Sequence, residues 1–267
     1  MGNENGRLEY ADGEVVKSVI KAFQILDLFT KESHHLTFSE IKAKMKMPNG
    51  SLFRFLTTMT MLDFLEFDPT GKRYSLGYRL IHLGDVASRS ADLVNIASPY
   101  MERIKCKINE TVSLYVRRGF KKVCLYRIES DLAVRYISLV GEPSHLHAGA
   151  SGKVLMSDMT KEELDELEQC EGFPALTSNT VTTRERIEAV LEETRRLGYA
   201  ISYAERNMGS AGIGSPIFDK NGKVCACLNI TLPSERYKEE MIDTWLKLLK
   251  ESASEISKRL GCEKIPF

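Results

Sequence analysis

No stretch of the 267-residue chain approaches the roughly 18 apolar residues that a membrane-crossing helix needs. The polar, acidic stretch from Met1 to Glu14 holds no apolar segment of the kind that heads a secretion signal. A cytoplasmic chain without membrane contact is therefore expected. Cysteine is scarce: six residues (Cys106, Cys124, Cys170, Cys225, Cys227, Cys262), none in a C-x-x-C pair, exclude a disulfide scaffold. Cys225 with Cys227 and His145 with His147 are each spaced i, i+2, as on one strand face, the only hint of a zinc site. Buried reduced thiols are the plainer expectation, with no metal and no cofactor. Net charge is also missing, 37 basic residues against 37 acidic, which excludes a surface coated uniformly for nucleic acid. What the chain does have, 43% apolar and 28% charged residues, excludes disorder, and its length suggests about two domains.

Whole-chain neutrality hides a local bias. Between Thr37 and Arg79 seven cationic residues face four carboxylates. Upstream, Val16, Val19, Ile20, Phe23, Leu26 and Phe29 recur at helical spacing, so an amphipathic helix is expected over 15–31. Thr37-Phe38-Ser39-Glu40 has the form of a capping box, which starts a second helix over Phe38–Lys46. Pro48-Asn49-Gly50 turns the chain into a third helix, Ser51–Leu62. There Leu52, Phe55, Leu56, Met59 and Leu62 would face inward, leaving Asn49, Ser51, Phe53, Arg54, Thr57 and Thr58 outside. Phe64–Phe67 and Arg73–Leu76 read as strands around the turn Asp68–Lys72, a hairpin with Lys72 and Arg73 near its tip. Two helices joined by a short turn and followed by such a hairpin make a winged helix-turn-helix. Arg54 suits a base edge or phosphate, and the hairpin cations suit phosphate. A winged helix also serves as a protein-interaction module, so a metabolite sensor or enzyme carrying one is the alternative.

Tyr78 to Ile108 is compatible with linker helices, with Ser98-Pro99 read as a helix start. No glycine- or serine-rich tether intervenes, which predicts a stiff connection. Beyond Thr111, strands are expected at 112–116, 123–127, 136–139, 198–202, 212–218 and 224–232, and helices at 151–156, 161–168, 183–197 and 238–260. Tight turns between strands, such as Asp219–Lys223, favour an antiparallel α+β layer over a doubly wound sheet. Gly152-Lys153 lacks the flanking residues of a phosphate loop, and Gly209–Gly214 lacks the spacing of a dinucleotide fingerprint. There is no nucleophile elbow, because Gly149-Ala150-Ser151-Gly152 has the wrong spacing. Nothing points to a catalytic residue.

From about Val15 to Leu260 these segments together resemble the IclR family of bacterial transcriptional regulators. The resemblance rests on Met47–Leu56 at the third helix, Tyr74-Ser75-Leu76-Gly77 at the hairpin exit, Asn109-Glu110-Thr111-Val112, His147–Lys153, Gly198-Tyr199-Ala200 and Ser215–Asp219. It implies an α+β protein: a winged helix-turn-helix at 12–77, a linker helix at 78–98 and a GAF-like effector-binding domain at 99–262. It implies palindromic double-stranded DNA and a small-molecule effector as partners, in a homodimer or a homotetramer built as a dimer of dimers. Carried over by position, the effector would meet the backbone N–H groups of Ala150 and Ser151, the side chains of Ser202, Asn229 and Thr231, and the strand around Gly212. In this sequence Ser202 and Tyr203 follow the Gly-Tyr pair where many relatives have an acidic residue. Gly212 and Asn229 stand where certain members carry a larger and a hydroxyl side chain, which implies a roomier, differently polar pocket.

Overall fold

The computed structural model describes residues 2–3, 7–8, 16–30, 32–89 and 92–265. From residue 8 onward the chain divides into two compact units, 8–90 and 91–267. After a short pair, β1 (Gly2–Asn3) with β2 (Arg7–Leu8), the first unit runs α1 (Lys17–Leu26), β3 (Leu36–Thr37), α2 (Phe38–Met45), α3 (Asn49–Met61), β4 (Leu65–Asp68), β5 (Arg73–Leu76) and α4 (Arg79–Arg89). The capping box forms: Thr37 Oγ1 accepts from Glu40 N at 3.3 Å, and Glu40 Oε2 accepts from Thr37 N at 2.7 Å. Lys46, left-handed at φ 50°, ends α2, and Pro48 at φ −58° leads into α3. Ile25, Ile41, Leu52, Leu56, Met59, Leu65 and Tyr74 close a small core.

One expectation fails in this unit, the inward placement of Leu62. Residues 15 and 31, the expected ends of the first helix, lie outside the described residues. The apolar stripe of α1 divides: Val16, Val19, Ile20 and Phe23 are 63%, 51%, 41% and 59% exposed, while Leu26 and Phe29 pack against the core and Ile25 is fully buried. Leu62 is exposed as well, because α3 ends at Met61 and the chain turns through Asp63 at φ 59°.

The second unit comprises α5 (Asp92–Ile108), β6 (Thr111–Arg118), β7 (Lys121–Ile128), β8 (Pro143–His145), α6 (Ala150–Met156), α7 (Lys161–Cys170), α8 (Arg184–Leu197), β9 (Ala200–Tyr203), β10 (Ser210–Phe218), β11 (Val224–Pro233) and α9 (Glu239–Arg259). Its six strands pair antiparallel in the order β8-β7-β6-β11-β10-β9. Side-chain alternation divides the two faces. Val112, Leu114, Val116, Ile213, Leu228, Ile230 and Leu232 join α5 and α9 in the main core. Full burial of each large side chain there contributes about 1.5–3 kcal/mol. The opposite face carries Tyr115, Cys124 and Cys227 against α6, α7 and α8.

Ser98 does not start a helix, since Pro99 lies inside α5, whose Val94, Ala97, Met101 and Ile104 are buried in the second unit's main core. Residues 136–139 are not a strand either. The carbonyls there are taken by side chains instead: Thr111 Oγ1 donates to Tyr136 O at 2.9 Å and Arg127 donates to Ser138 O. The edge strand β8 forms further on, where Pro143–His145 pairs with Lys121–Val123.

Candidate functional site

Two surfaces matter, one in each unit. In the first, Asn49, Ser51, Phe53, Arg54, Thr57 and Thr58 are all exposed along α3, while Leu52, Leu56 and Met59 anchor its other face. The hairpin is built by its turn: Asp68 accepts from the backbone N of Thr70 and of Gly71, each at 2.9 Å. Lys72 takes a left-handed conformation (φ 49°), and Arg73 pairs in register with Asp68, leaving both cations exposed. Sheet order β3-β5-β4 pins this hairpin beside the start of α2. The result is an exposed, mostly polar helix face flanked by a basic hairpin.

In the second unit a cavity is lined by Tyr115, Lys122, Tyr136, Arg206, Ser210 and Ala211 together with the expected Ala150, Ser151, Ser202, Gly212, Asn229 and Thr231. Sheet register explains the gathering: Gly212 lies opposite Ser202 on one side and Thr231 on the other, and Gly214 lies opposite Asn229. Alternation then sends these residues to the face that carries α6. Close approach of α6 needs glycine. A Cβ at Gly152 would lie 1.8 Å from Leu146 O, and Gly149 sits at φ 88°. The entry to α6 is held by Glu205, which accepts from Gly149 N at 3.2 Å and pairs with the buried Lys153 ammonium. The cavity holds about 30 Å3, room for roughly two waters.

Sequence reasoning missed the two cations. Lys122 is 1% exposed, and its ammonium donates to Ala148 O. Burial, and secondarily the Arg206 guanidinium, push its pKa down from 10.5 to about 7. Lys122 lay one residue before the strand expected at 123–127, and nothing in the sequence marked it; β7 begins earlier, at Lys121, and takes Lys122 into the sheet. Arg206, half-buried, has no carboxylate at ion-pair distance among the described residues. Asn229 is 3% exposed; its Nδ2 donates to Ile230 O at 3.1 Å and to Thr231 Oγ1 at 2.7 Å, leaving its buried Oδ1 without a partner among the described residues. His145, His147, Cys225 and Cys227 do not assemble a centre. Among the described residues no three His, Cys, Asp or Glu side chains converge, and burial raises both thiols' pKa values.

The geometry defines a winged helix-turn-helix protein with a separate α+β unit that holds a polar cavity. Comparison with known proteins makes this specific. Residues 18–69 match the IclR helix-turn-helix domain and residues 86–258 match the bacterial transcriptional regulator IclR C-terminal domain. The chain belongs to the IclR family of bacterial transcriptional regulators and is a regulator rather than an enzyme. It is 29% identical to the HTH-type transcriptional regulator KipR of Bacillus subtilis, over 92% of this chain and 97% of that one. The crystal structure of Thermotoga maritima IclR is similar at 31% identity and TM-score 0.80, covering 92% of this chain and 99% of that one. An IclR homologue from Microbacterium hydrocarbonoxydans, crystallised with 4-hydroxybenzoate, is similar at 25% identity and TM-score 0.80, over 91% and 98%.

Proposed function

We propose that this regulator binds a near-palindromic operator as a homodimer or dimer of dimers, and that a small carboxylate-bearing metabolite in the cavity controls its DNA affinity or geometry. Arg54, with Asn49, Ser51, Phe53, Thr57 and Thr58, reads the major groove, while Lys72 and Arg73 hold phosphates and set register. Ala150, Ser151, Ser202, Gly212, Asn229 and Thr231 contact the effector. The carrying observation is the exposed, mostly polar face of α3 with two cations on the adjoining hairpin. The cavity's cationic lining supports an anionic effector, as does the aromatic carboxylate bound by the Microbacterium relative. The outward apolar residues of α1, Val16, Val19, Ile20 and Phe23, support self-association. A regulator of this kind acts in the cytoplasm, where its operator lies.

The test is selection of bound sequences from random duplex DNA by mobility shift. An enriched palindrome is expected, and Arg54→Ala should cost about 1–3 kcal/mol at the preferred site while leaving the fold intact. No enriched sequence, or full affinity in Arg54→Ala, overturns the reading.

A further inference from the structure

The ligand's chemistry can be narrowed further, on the assumption that the cavity is the effector site. Three groups in its wall have needs that the protein itself does not meet. Lys122 is a buried cation whose ammonium reaches a single neutral acceptor, Ala148 O. Arg206, half-buried on the β9–β10 connection, adds a second positive charge close enough to disfavour the first. Glu205, the carboxylate that acts on Lys122, is already engaged by Lys153 and by the Gly149 N–H. A buried lysine beside an arginine is unfavourable by both desolvation and repulsion, and an anion placed between them relieves both.

The third group is an acceptor. Asn229 has its amide orientation set by Ile230 O, which can only accept, so Nδ2 faces that carbonyl and Oδ1 is the free atom. A buried amide oxygen without a donor costs about 1–3 kcal/mol. A carboxylate does not help it, because two acceptors repel; a hydroxyl donor does. Positive charge and a lone acceptor in one small cavity therefore select two different groups on one ligand.

We infer that the cavity recognises a small hydroxy acid, its carboxylate held by Lys122 and Arg206 and its hydroxyl donating to Asn229 Oδ1. Ser202 and Thr231, which both donate and accept, tolerate either group and leave the discrimination to Asn229. The cavity is small, so the shortest members of the class ask the least movement of its walls. Binding also carries a proton. Lys122 faces Tyr115 on β6, Cys227 on β11, Lys153 on α6, His145 and His147 around the α6 entry, and Glu205 and Arg206 on the β9–β10 connection. Among these the carboxylate ligand is the change that favours the ammonium form, so binding at pH 8 takes up protons.

The experiment is calorimetric titration of the full-length protein with matched pairs: glycolate against acetate, lactate against propionate, and glycolamide as the uncharged control. At least one hydroxy acid is expected to bind about tenfold tighter than its deoxy partner, with glycolamide weaker than either. Lys122→Met should weaken the hydroxy acid at least tenfold, and Asn229→Leu should erase the preference over the deoxy acid. In wild-type protein at pH 8, the binding enthalpy should vary with buffer ionisation enthalpy in the sense of proton uptake, a readout that needs no variant to fold. Equal affinities within each pair, no binding by any acid, or no proton uptake overturns the inference. A neutral ligand that shifts DNA affinity and ignores both substitutions overturns it too, while leaving effector control standing. Hydroxy-acid binding with these signatures but without any change in DNA affinity upholds the inference and overturns effector control instead.

Discussion

A lysine that is 1% exposed is an expensive residue for a fold to keep. The pKa of Lys122 is about 7 in the folded chain against an ordinary 10.5, so the unfolded state binds the proton more tightly. The penalty is complete at and below pH 7, shrinks as pH rises through the window from 7 to 10.5, and vanishes above it. Lys122→Met is therefore expected to be more stable than wild type by a few kcal/mol near pH 7, roughly what a shift of this size is worth. Loss of the hydrogen bond to Ala148 O offsets part of that gain. Melting temperatures measured at pH 7 and pH 10 check this: the advantage of the variant must narrow at the higher pH. An advantage that grows with pH would mean that Lys122 is charged and well paired in the folded protein.

Single elements explain what the cores leave out. Helix α1 buries Ile25 and presents Val16, Val19, Ile20 and Phe23 to the surface, beside Leu26, Phe55 and Leu62 in the groove along α3. Because Phe23 is 59% exposed, Phe23→Glu should change folding stability by no more than about 0.5 kcal/mol. The same change should markedly weaken self-association in sedimentation experiments; an unaltered sedimentation profile would assign that face no role in assembly. The β4–β5 hairpin makes a separate prediction. Replacing both Lys72 and Arg73 by alanine should lower the slope of log affinity against log salt by about 2, and weaken all DNA sequences alike. A sequence-dependent loss would place these cations at base edges. At α6 the element itself limits the chemistry: seven residues, less than two full turns, make a weak dipole, so the cavity's charge comes from Lys122 and Arg206.

Across the whole molecule, effector control is a free-energy coupling between the cavity and the α3 surface. A ligand shifts DNA binding only by the difference between its affinities for two arrangements of the protein. The coupling is reciprocal, so saturating operator DNA must change effector affinity by the same factor that effector changes DNA affinity, typically about 5–150-fold. Calorimetric titration of effector with and without operator measures one side of this cycle, and mobility shifts with and without effector measure the other. Unequal factors would show that the two ligands do not act on a common equilibrium.

Short-range patterns were enough for much of this architecture. The capping box at Thr37 and Glu40, the punctuation at Pro48, the hairpin around Asp68–Lys72 and the strict alternation through β6 and β11 each depend on neighbours a few residues apart. Asn229 and Thr231 came from the family resemblance, and the folded strand places both at every second position of an apolar run. Direction and pairing were different. The apolar stripe of α1 was visible, but whether it turned inward depended on what α2 and α3 offered it. Residues 136–139 have strand composition, yet Thr111 and Arg127 take their carbonyls. Lys122 and Arg206, 84 positions apart in the chain, share a cavity only because β7 and the β9–β10 connection are brought to the same face of one sheet. A side chain's solvation and its charged neighbours are set by distant segments, so the charge of the cavity emerged only from the folded chain.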